Sequence, residues 1–511
     1  MSAIETTVVT APGKVLIAGG YLVLDKKFFG IVVGTDAKFY SFISTNKFEK
    51  LNDKFLIKVK SPQFTDGFWD YMVKICHIEK DEFFFQLLPI SSEQKSNKFI
   101  ESAIIYSLNV AAKLQGKKII NDLEKGLHII IVGSNDFYSQ RQRLSELLLP
   151  LTTKSLKSLE RFCSTNSKLA EVHKTGLGSS AALITSLVGG ILSHLKVVNL
   201  KSPEAKNYGR ELIHSISQFC HCLAQGKIGS GFDISAAIYG SHTYRRFSKS
   251  IIENHLNSAL TMDRFNKETN SNFTSLLQKL NPKNSCFDNE IHPFSLPPGF
   301  ILKLADLDVG SSTPKLVSNV LKWRANKPDE ANELWESLNI KNTELENLFR
   351  KLLTQFDGDA VAYKKILKIC SGNKAALWKK NIDDITSKSE KVIFESFCLV
   401  YETFQSIRQK LQEMTLKAEV PIEPLSQTKL LNSCMEVEGI IMAGVPGAGG
   451  FDAIFVIGLS EKAVAKVEDE VWLLWKDTSV GPLTCTTCST GIECLSEEEG
   501  GLLLEYVETL M

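Results

Sequence analysis

Nowhere in its 511 residues does the chain carry a run of about 18 apolar side chains, so no segment is predicted to cross a bilayer as a helix. An excess of either charge is missing too. With 59 Lys and Arg against 58 Asp and Glu, the net charge of +1 gives no global pull toward nucleic acid or an anionic membrane, and any anion site must be local. The cluster Cys485, Cys488 and Cys494 lacks a second CxxC pair and a nearby histidine, and the 11 cysteines are odd in number and scattered. Free, reduced thiols are therefore expected rather than zinc or a disulfide framework. Ser2-Ala3-Ile4-Glu5 offers no basic and apolar leader, and Glu508-Thr509-Leu510-Met511 no peroxisomal or retention signal, so the expectation is a soluble cytoplasmic protein. No internal repeat or low-complexity tract is present.

What is present is ample apolar content, 43%, in a chain longer than one core fills. Two domains are expected, 1–285 and 286–511, with the polar, aperiodic stretch from Ser248 to Pro298 between them. The most informative segment is Lys174-Thr175-Gly176-Leu177-Gly178-Ser179-Ser180-Ala181-Ala182. Glycines let a ligand approach the backbone, hydroxyls bind phosphate or metal, and alanines start a helix. A helix predicted from Ser180 to Leu195 would aim its unpaired N–H groups and positive dipole end into that turn, making an anion cradle. Apolar residues surround that helix, so it is expected to be buried. The Walker pattern is excluded because the loop closes with Gly178-Ser179-Ser180 and not Gly-Lys-Ser or Gly-Lys-Thr. The dinucleotide fingerprint is disfavoured because Gly189 to Leu200 holds no carboxylate for a ribose.

Elsewhere, Thr6 to Thr10 and Val15 to Ala18 read as two strand-like runs separated by Ala11-Pro12-Gly13-Lys14, which puts Lys14 at a sharp bend. Gly19 to Leu24, Gly30 to Val33, Lys38 to Ser44 and Phe55 to Val59 extend a sheet. Leu127 to Val132 is a buried strand, and the Gly133-Ser134-Asn135-Asp136 that follows is either a binding turn or a capped helix start. Arg141 to Lys168 reads as an inserted loop. A helix from Glu204 to Ala224 is capped by Gly226 and leads through Gly229-Ser230-Gly231 to Asp233, which is either an N-cap or a working carboxylate. A strand at Phe300 to Ala305 opens the second half, followed by helices near 315–325, 329–338, 342–356, 359–371 and 389–416. A glycine turn, Gly444 to Gly450, then feeds an apolar strand.

In this order, Pro12-Gly13-Lys14, Gly176 to Ala182 and Gly447-Ala448-Gly449-Gly450 resemble the three motifs of the GHMP kinases, a family of small-molecule kinases. Gln225 to Asp233, Gly310-Ser311-Ser312-Thr313-Pro314 and Val420 to Pro424 bring the resemblance nearest to members whose acceptor is 5-phosphomevalonate. It implies a mixed fold: an N-terminal α/β domain with a left-handed βαβ element, a C-terminal ferredoxin-like α+β domain and a cleft between them. It implies ATP as phosphoryl donor, magnesium as cofactor, a monomer or homodimer, and no nucleic-acid or membrane partner. Lys14 and Asp233 would be catalytic. Lys174, Gly176, Leu177, Gly178, Ser179, Ser180 and Ala181 would hold ATP, with Ser180 on the metal. Lys14, Lys227, Gly229, Ser230, Ser311, Ser312, Thr313, Gly447, Ala448 and Gly449 would meet the acceptor.

Two departures stand out. His173-Lys174-Thr175 replaces the family's proline ahead of the cradle, and Lys227 stands near the place where related mevalonate-binding members carry an acidic magnesium ligand. A lysine there suits a more anionic acceptor. A phosphate monoester, with a second pKa near ~6, is already mostly a nucleophilic dianion at neutral pH. The demand is then for positive charge and positioning, for which Lys14, Lys174, Lys227, Arg141 and Arg143 are the expected suppliers. The alternatives are a kinase for mevalonate or another small alcohol, and a silent nucleotide and metabolite sensor.

Overall fold

Thirteen residues rich in Thr, Val and Ala open the chain as strand β1 (Thr6–Ala18), whose β-branched side chains suit a half-buried pleat. The computed structural model describes residues 6–45, 54–78, 82–261, 266–284, 287–310, 313–380 and 384–510. Strands β2 (Phe29–Thr45), β3 (Lys54–Lys60), β4 (Phe68–His77), β5 (Phe83–Pro89) and β6 (Leu127–Gly133) complete the body of a sheet. Later come β7 (His242–Arg245), β8 (Glu290–Pro293), β9 (Ile301–Leu307), β10 (Ile440–Gly444), β11 (Ala453–Gly458), β12 (Val480–Pro482), β13 (Thr487–Cys488) and β14 (Glu493–Cys494). The first sheet has ten strands in the order β14-β1-β2-β6-β3-β4-β5, with β13 and β7 on β2, and β8 on β7. Among the described residues its one parallel pair is β3 with β6.

The second sheet has the order β10-β11-β9-β12, all antiparallel. Helices join β9 to β10 and β11 to β12, which makes this the βαββαβ ferredoxin-like arrangement. One core runs from the helices behind the first sheet into the second unit. The helix Ser179–His194 lies at its centre, with Ala182, Ile184, Leu187, Val188, Ile191 and Leu192 all buried. Gly189 and Gly190 let it press onto the sheet: a Cβ on Gly189 would fall 2.5 Å from Ile492 Cδ1, and one on Gly190 would fall 3.0 Å from Ile43 Cγ1.

Several expected boundaries are corrected. The two runs flanking Pro12-Gly13 are one strand whose register with β2 shifts between Pro12 and Lys14, so the Pro-Gly pair makes a bulge and not a break. Gly19 to Leu24 leaves the sheet, because Gly19 at φ 92° and Tyr21 at φ 63° cannot extend it, and Leu22–Leu24 forms one 3₁₀ turn. The expected loop after Arg141 contains short helices Arg141–Glu146 and Thr153–Lys157. The polar stretch from Ser248 holds the helix Lys267–Leu280, which buries Phe273, Leu276, Leu277 and Leu280 at helical spacing. The helices expected at 329–338 and 342–356 are one, Pro328–Gly358.

Beyond the second sheet the chain returns to the first. β14 pairs with β1 and β13 with β2, and the helix Glu497–Glu508 buries Leu503 and Val507 against Val8, Tyr40 and Phe42. Glu497, Glu498 and Glu499 are exposed in its first turn, where Glu499 and Ser496 make a reciprocal cap. Among the described residues no helix is long and apolar enough to cross a membrane.

Candidate active site

The bulge in β1 aims Lys14 between the two sheets. Its N–H donates to the Leu177 carbonyl at 2.9 Å and its Nζ to the Gly176 carbonyl at 2.8 Å, so backbone and side chain both hold the glycine turn. The ammonium also stands 5.5 Å from the centre of the Phe232 ring. Gly178, at φ 81°, is the N-cap of the helix Ser179–His194. A Cβ there would lie 3.0 Å from Lys14 Cε, so glycine is needed both for the left-handed turn and for the lysine's passage. Enclosure pushes the Lys14 ammonium pKa down, and the charge of Asp233 opposes that shift.

The cradle is braced from behind. Tyr138 and Lys174 form a β-bridge, the Ser139 N–H donates to the His173 carbonyl at 3.0 Å, and the Thr175 hydroxyl donates to the Asp136 carbonyl. The Gly133–Asp136 segment is thus a supporting turn. Its Asp136 carboxylate accepts from the Thr484 N–H at 2.5 Å and hydroxyl at 2.7 Å, and burial raises its pKa. No side chain caps the helix at Gly178, and by helix geometry the first-turn N–H groups of Ser179 and Ser180 have no carbonyl four residues back. They are the cradle's donors.

A second helix start faces the first. Gly231, at φ 91°, caps the helix Phe232–Tyr239, and Asp233 sits in its first turn. Asp233 is therefore not the N-cap; its Oδ1 accepts from the Ile234 N–H at 3.0 Å. The turn before it is pinned by Arg246, which donates to the Gly229 carbonyl at 2.9 Å, and by Tyr244, whose hydroxyl donates to the Ser230 carbonyl at 2.9 Å. Between Asp233 and the cradle stands His221. Its Nε2 lies 3.1 Å from Ser180 Oγ and 3.2 Å from Gln225 Nε2, while its Nδ1 lies 3.8 Å from Asp233 Oδ2. Burial lowers the imidazole pKa, with the Asp233 charge opposing.

From the second unit, the turn after β10 closes the cleft. The Gly447 N–H donates to the Leu16 carbonyl at 3.0 Å, and the Tyr21 hydroxyl donates to the Ala448 carbonyl at 2.7 Å. The cleft so formed is lined by Lys14, Tyr21, Gly176, Leu177, Ser230, Phe232, Thr313, Gly447, Ala448, Gly449 and Asp452, among others. Ser311 and Ser312 lie outside the described residues.

Not every expected cation reaches it. Lys227 is exposed on the helix-capping turn, with its N–H bonded to the Cys222 carbonyl at 3.1 Å. Arg141 is engaged between the units: it donates to the Asp306 carbonyl at 2.9 Å, and its Nε lies 3.5 Å from the Asp306 carboxylate. Asp306, buried and with a raised pKa for that reason, also meets His173 Nε2 at 3.2 Å. Arg143 lies near Glu146 and Glu160 at 3.8 and 3.9 Å. Lys174 is exposed at the cradle's entry. Of the expected cations, Lys14 lines the cleft, while both arginines are engaged in holding the chain together. Sequence reasoning missed Tyr21, Phe232, His221, Gln225 and Asp452. For His221 and Gln225 a signal exists: His214, Gln218, His221 and Gln225 form a polar stripe at helical spacing on the helix Pro203–Gln225, whose central turns are buried.

Residues 395–473 match the family model described as GHMP kinases C terminal. A protein of Arabidopsis thaliana named "Phosphomevalonate kinase, peroxisomal" is 39% identical over 478 residues, covering 89% of this chain and 90% of its own. The chain belongs to the phosphomevalonate kinase family. The family's Candida albicans member is 34% identical over 454 residues and 89% of each chain. Among solved structures, the Streptococcus pneumoniae phosphomevalonate kinase in complex with phosphomevalonate and AMPPNP matches with a TM-score of 0.54 at 13% identity, covering 94% of this chain and 99% of that one. At that identity it establishes the shared fold. The mixed α/β and α+β GHMP kinase fold expected from the motifs is the one observed.

Proposed function

We propose that this chain transfers the γ-phosphoryl group of ATP to 5-phosphomevalonate, giving ADP and 5-diphosphomevalonate in the mevalonate route to isoprenoids. One observation carries the reading: in a chain of this family, Lys14 Nζ rests on the cradle carbonyl of Gly176 while feeling the charge of Asp233, at the meeting point of both units. The cradle's open amides, from Ser179 and Ser180, bind the donor phosphates. Lys14 stabilises the charge that spreads over the transferring group, and Asp233 orients the lysine and the acceptor. The acceptor oxygen, ionised with a pKa near ~6, needs no strong base. Thr313, Ser230 and the turn Gly447-Ala448-Gly449 line the cleft, and this reading assigns them to the acceptor.

Magnesium fits the donors on hand. It takes oxygen ligands, usually one or two carboxylates with waters and substrate phosphates. Ser180 Oγ and the Asp233 carboxylate, both beside His221, would be its ligands from the chain. When bound there it neutralises phosphate charge.

The division at 285/286 is read as two units in chain order, the first completed by β8, β13 and β14. Monomer or homodimer assembly and cytoplasmic residence complete the proposal; the latter is supported by ten free cysteines among the described residues. Imaging of a tagged protein decides between cytoplasm and the peroxisome named for the Arabidopsis relative. The decisive assay is ADP release from ATP with magnesium and each acceptor in turn. Release with 5-phosphomevalonate is expected. Release with mevalonate alone, or tight ATP binding with no turnover on any acceptor, overturns the proposal.

A further inference from the structure

The reading above gives no task to the buried imidazole that joins its two helix starts. His221 is 3% exposed, on the helix Pro203–Gln225, with the Phe99 ring centred 6.0 Å away. It touches the site from below: Nε2 is 3.1 Å from Ser180 Oγ and 3.2 Å from Gln225 Nε2, and Nδ1 is 3.8 Å from Asp233 Oδ2. A neutral imidazole carries one proton and one lone pair, and the partner of one nitrogen decides which is which. Here the Asp233 carboxylate lies 3.8 Å from Nδ1, beyond hydrogen-bond length, and its charge favours the tautomer with the proton on that nitrogen. In that tautomer Nε2 has one lone pair, for which the Ser180 hydroxyl and the Gln225 amide nitrogen, both able to donate, compete.

The consequence falls on Ser180. A hydroxyl has one proton and two lone pairs. If the proton points back to His221, only lone pairs face the cleft, and an oxygen presented that way accepts or coordinates but does not donate. We propose that His221 is a positioning residue that commits Ser180 to binding a cation instead of donating to a phosphate oxygen, and that it holds the Asp233 carboxylate in the same frame. The inference rests on the site reading given under Proposed function. It assigns phosphate donation in the cradle to the backbone amides alone.

The test is equilibrium binding of a non-hydrolysable ATP analogue to the full chain, titrated with free magnesium and repeated without metal. Ser180→Ala and His221→Asn are each expected to raise the magnesium needed for half-maximal binding by about 10- to 100-fold, the usual effect of losing a ligand's supporting partner, with metal-free binding unchanged. His221→Gln places an amide oxygen as many bonds from Cβ as Nε2 is, and should stay within about threefold of the parent on the same scale. Adding Ser180→Ala to His221→Asn should change little further, because both act through one oxygen. An unchanged magnesium requirement in His221→Asn, with Ser180→Ala shifted, overturns the inference and leaves the site reading standing. No shift in Ser180→Ala overturns both. Equal losses with and without metal would mark a merely structural histidine and also overturn it. Should His221→Asn not fold, His221→Gln decides, since a requirement like that of Ser180→Ala contradicts the proposal.

Discussion

Two glycines line the cleft from opposite units, Gly176 in the cradle and Gly449 in the turn after β10, and the two positions need glycine for opposite reasons. In the cradle, a Cβ on Gly176 would meet nothing within 4 Å. In the turn after β10, a Cβ on Gly449 would fall 2.1 Å from the Ile422 carbonyl, and one on Gly20, opposite, would fall 2.2 Å from the Gly447 carbonyl. Gly176 keeps its space open toward the cleft, whereas Gly449 has given its space to the protein; their neighbours are mixed, since Gly178 makes room for Lys14 and Gly447 has nothing within 4 Å of its missing side chain. The floor under Gly449 is correspondingly rigid. Gly450 N–H donates to the Ile422 carbonyl at 2.9 Å, and the next residue, Glu423, is buried in an ion pair with Arg408 at 2.7 Å. Gln412 donates to the same carboxylate at 2.8 Å. Glycine spacing in sequence announces a tight turn; what occupies the missing side chain's place tells whether the glycine serves a guest or the fold.

The comparison can be broken at either turn. Arg408→Met strands the Glu423 carboxylate in the core and should cost about 3–5 kcal/mol, read as a lower urea midpoint, with the ATP requirement of the remaining folded enzyme little changed. Lys14→Met should act in the reverse sense, lowering turnover about 10²- to 10³-fold while the urea midpoint hardly moves. It should also exceed Asp233→Asn in the ADP-release assay; the opposite order would mean that the carboxylate works as a true base. Gly449→Ala, strained at φ 68° and blocked by backbone, should destabilise by about 2–3 kcal/mol. Gly176→Ala has room, so its cost is limited to the left-handed backbone, about 1 kcal/mol, and should surface mainly as a raised KM for ATP. If the two alanine variants lose stability equally, the distinction between the two positions is wrong.

Much of this was legible before the fold was known, for reasons that differ by residue. Gly176 to Ala182 announced itself because its function needs local features, a turn and a helix start adjacent in sequence. Lys14 stood out beside Pro12-Gly13 for the same reason. Lys227, expected to meet the acceptor, is exposed on its turn, because spacing places a residue near a turn without saying which way its side chain leaves. Arg141 misled because its partner, Asp306, is 165 positions away and reads as an ordinary strand residue. His221 was hidden by its neighbours, since apolar periodicity in the helix Pro203–Gln225 draws attention to the core face and away from the polar stripe beside it. Tyr21 was misplaced because a β-rich composition says nothing of the positive φ that turns the chain out of the sheet.

The short strands β13 and β14 set an order on the birth of the molecule. Val9 and Thr10 are made more than 480 residues before their sheet partners, Cys494 and Glu493. The Lys38 ammonium likewise waits for Glu493, 2.9 Å away in the finished protein. While the ribosome is still spelling out the second unit, the flank of β1 stands as an open ladder able to pair with any passing strand. The fold closes its seam only when β13 and β14 return to the first sheet, so a nascent chain stopped within the second unit should be captured by chaperones more than one stopped after Cys494.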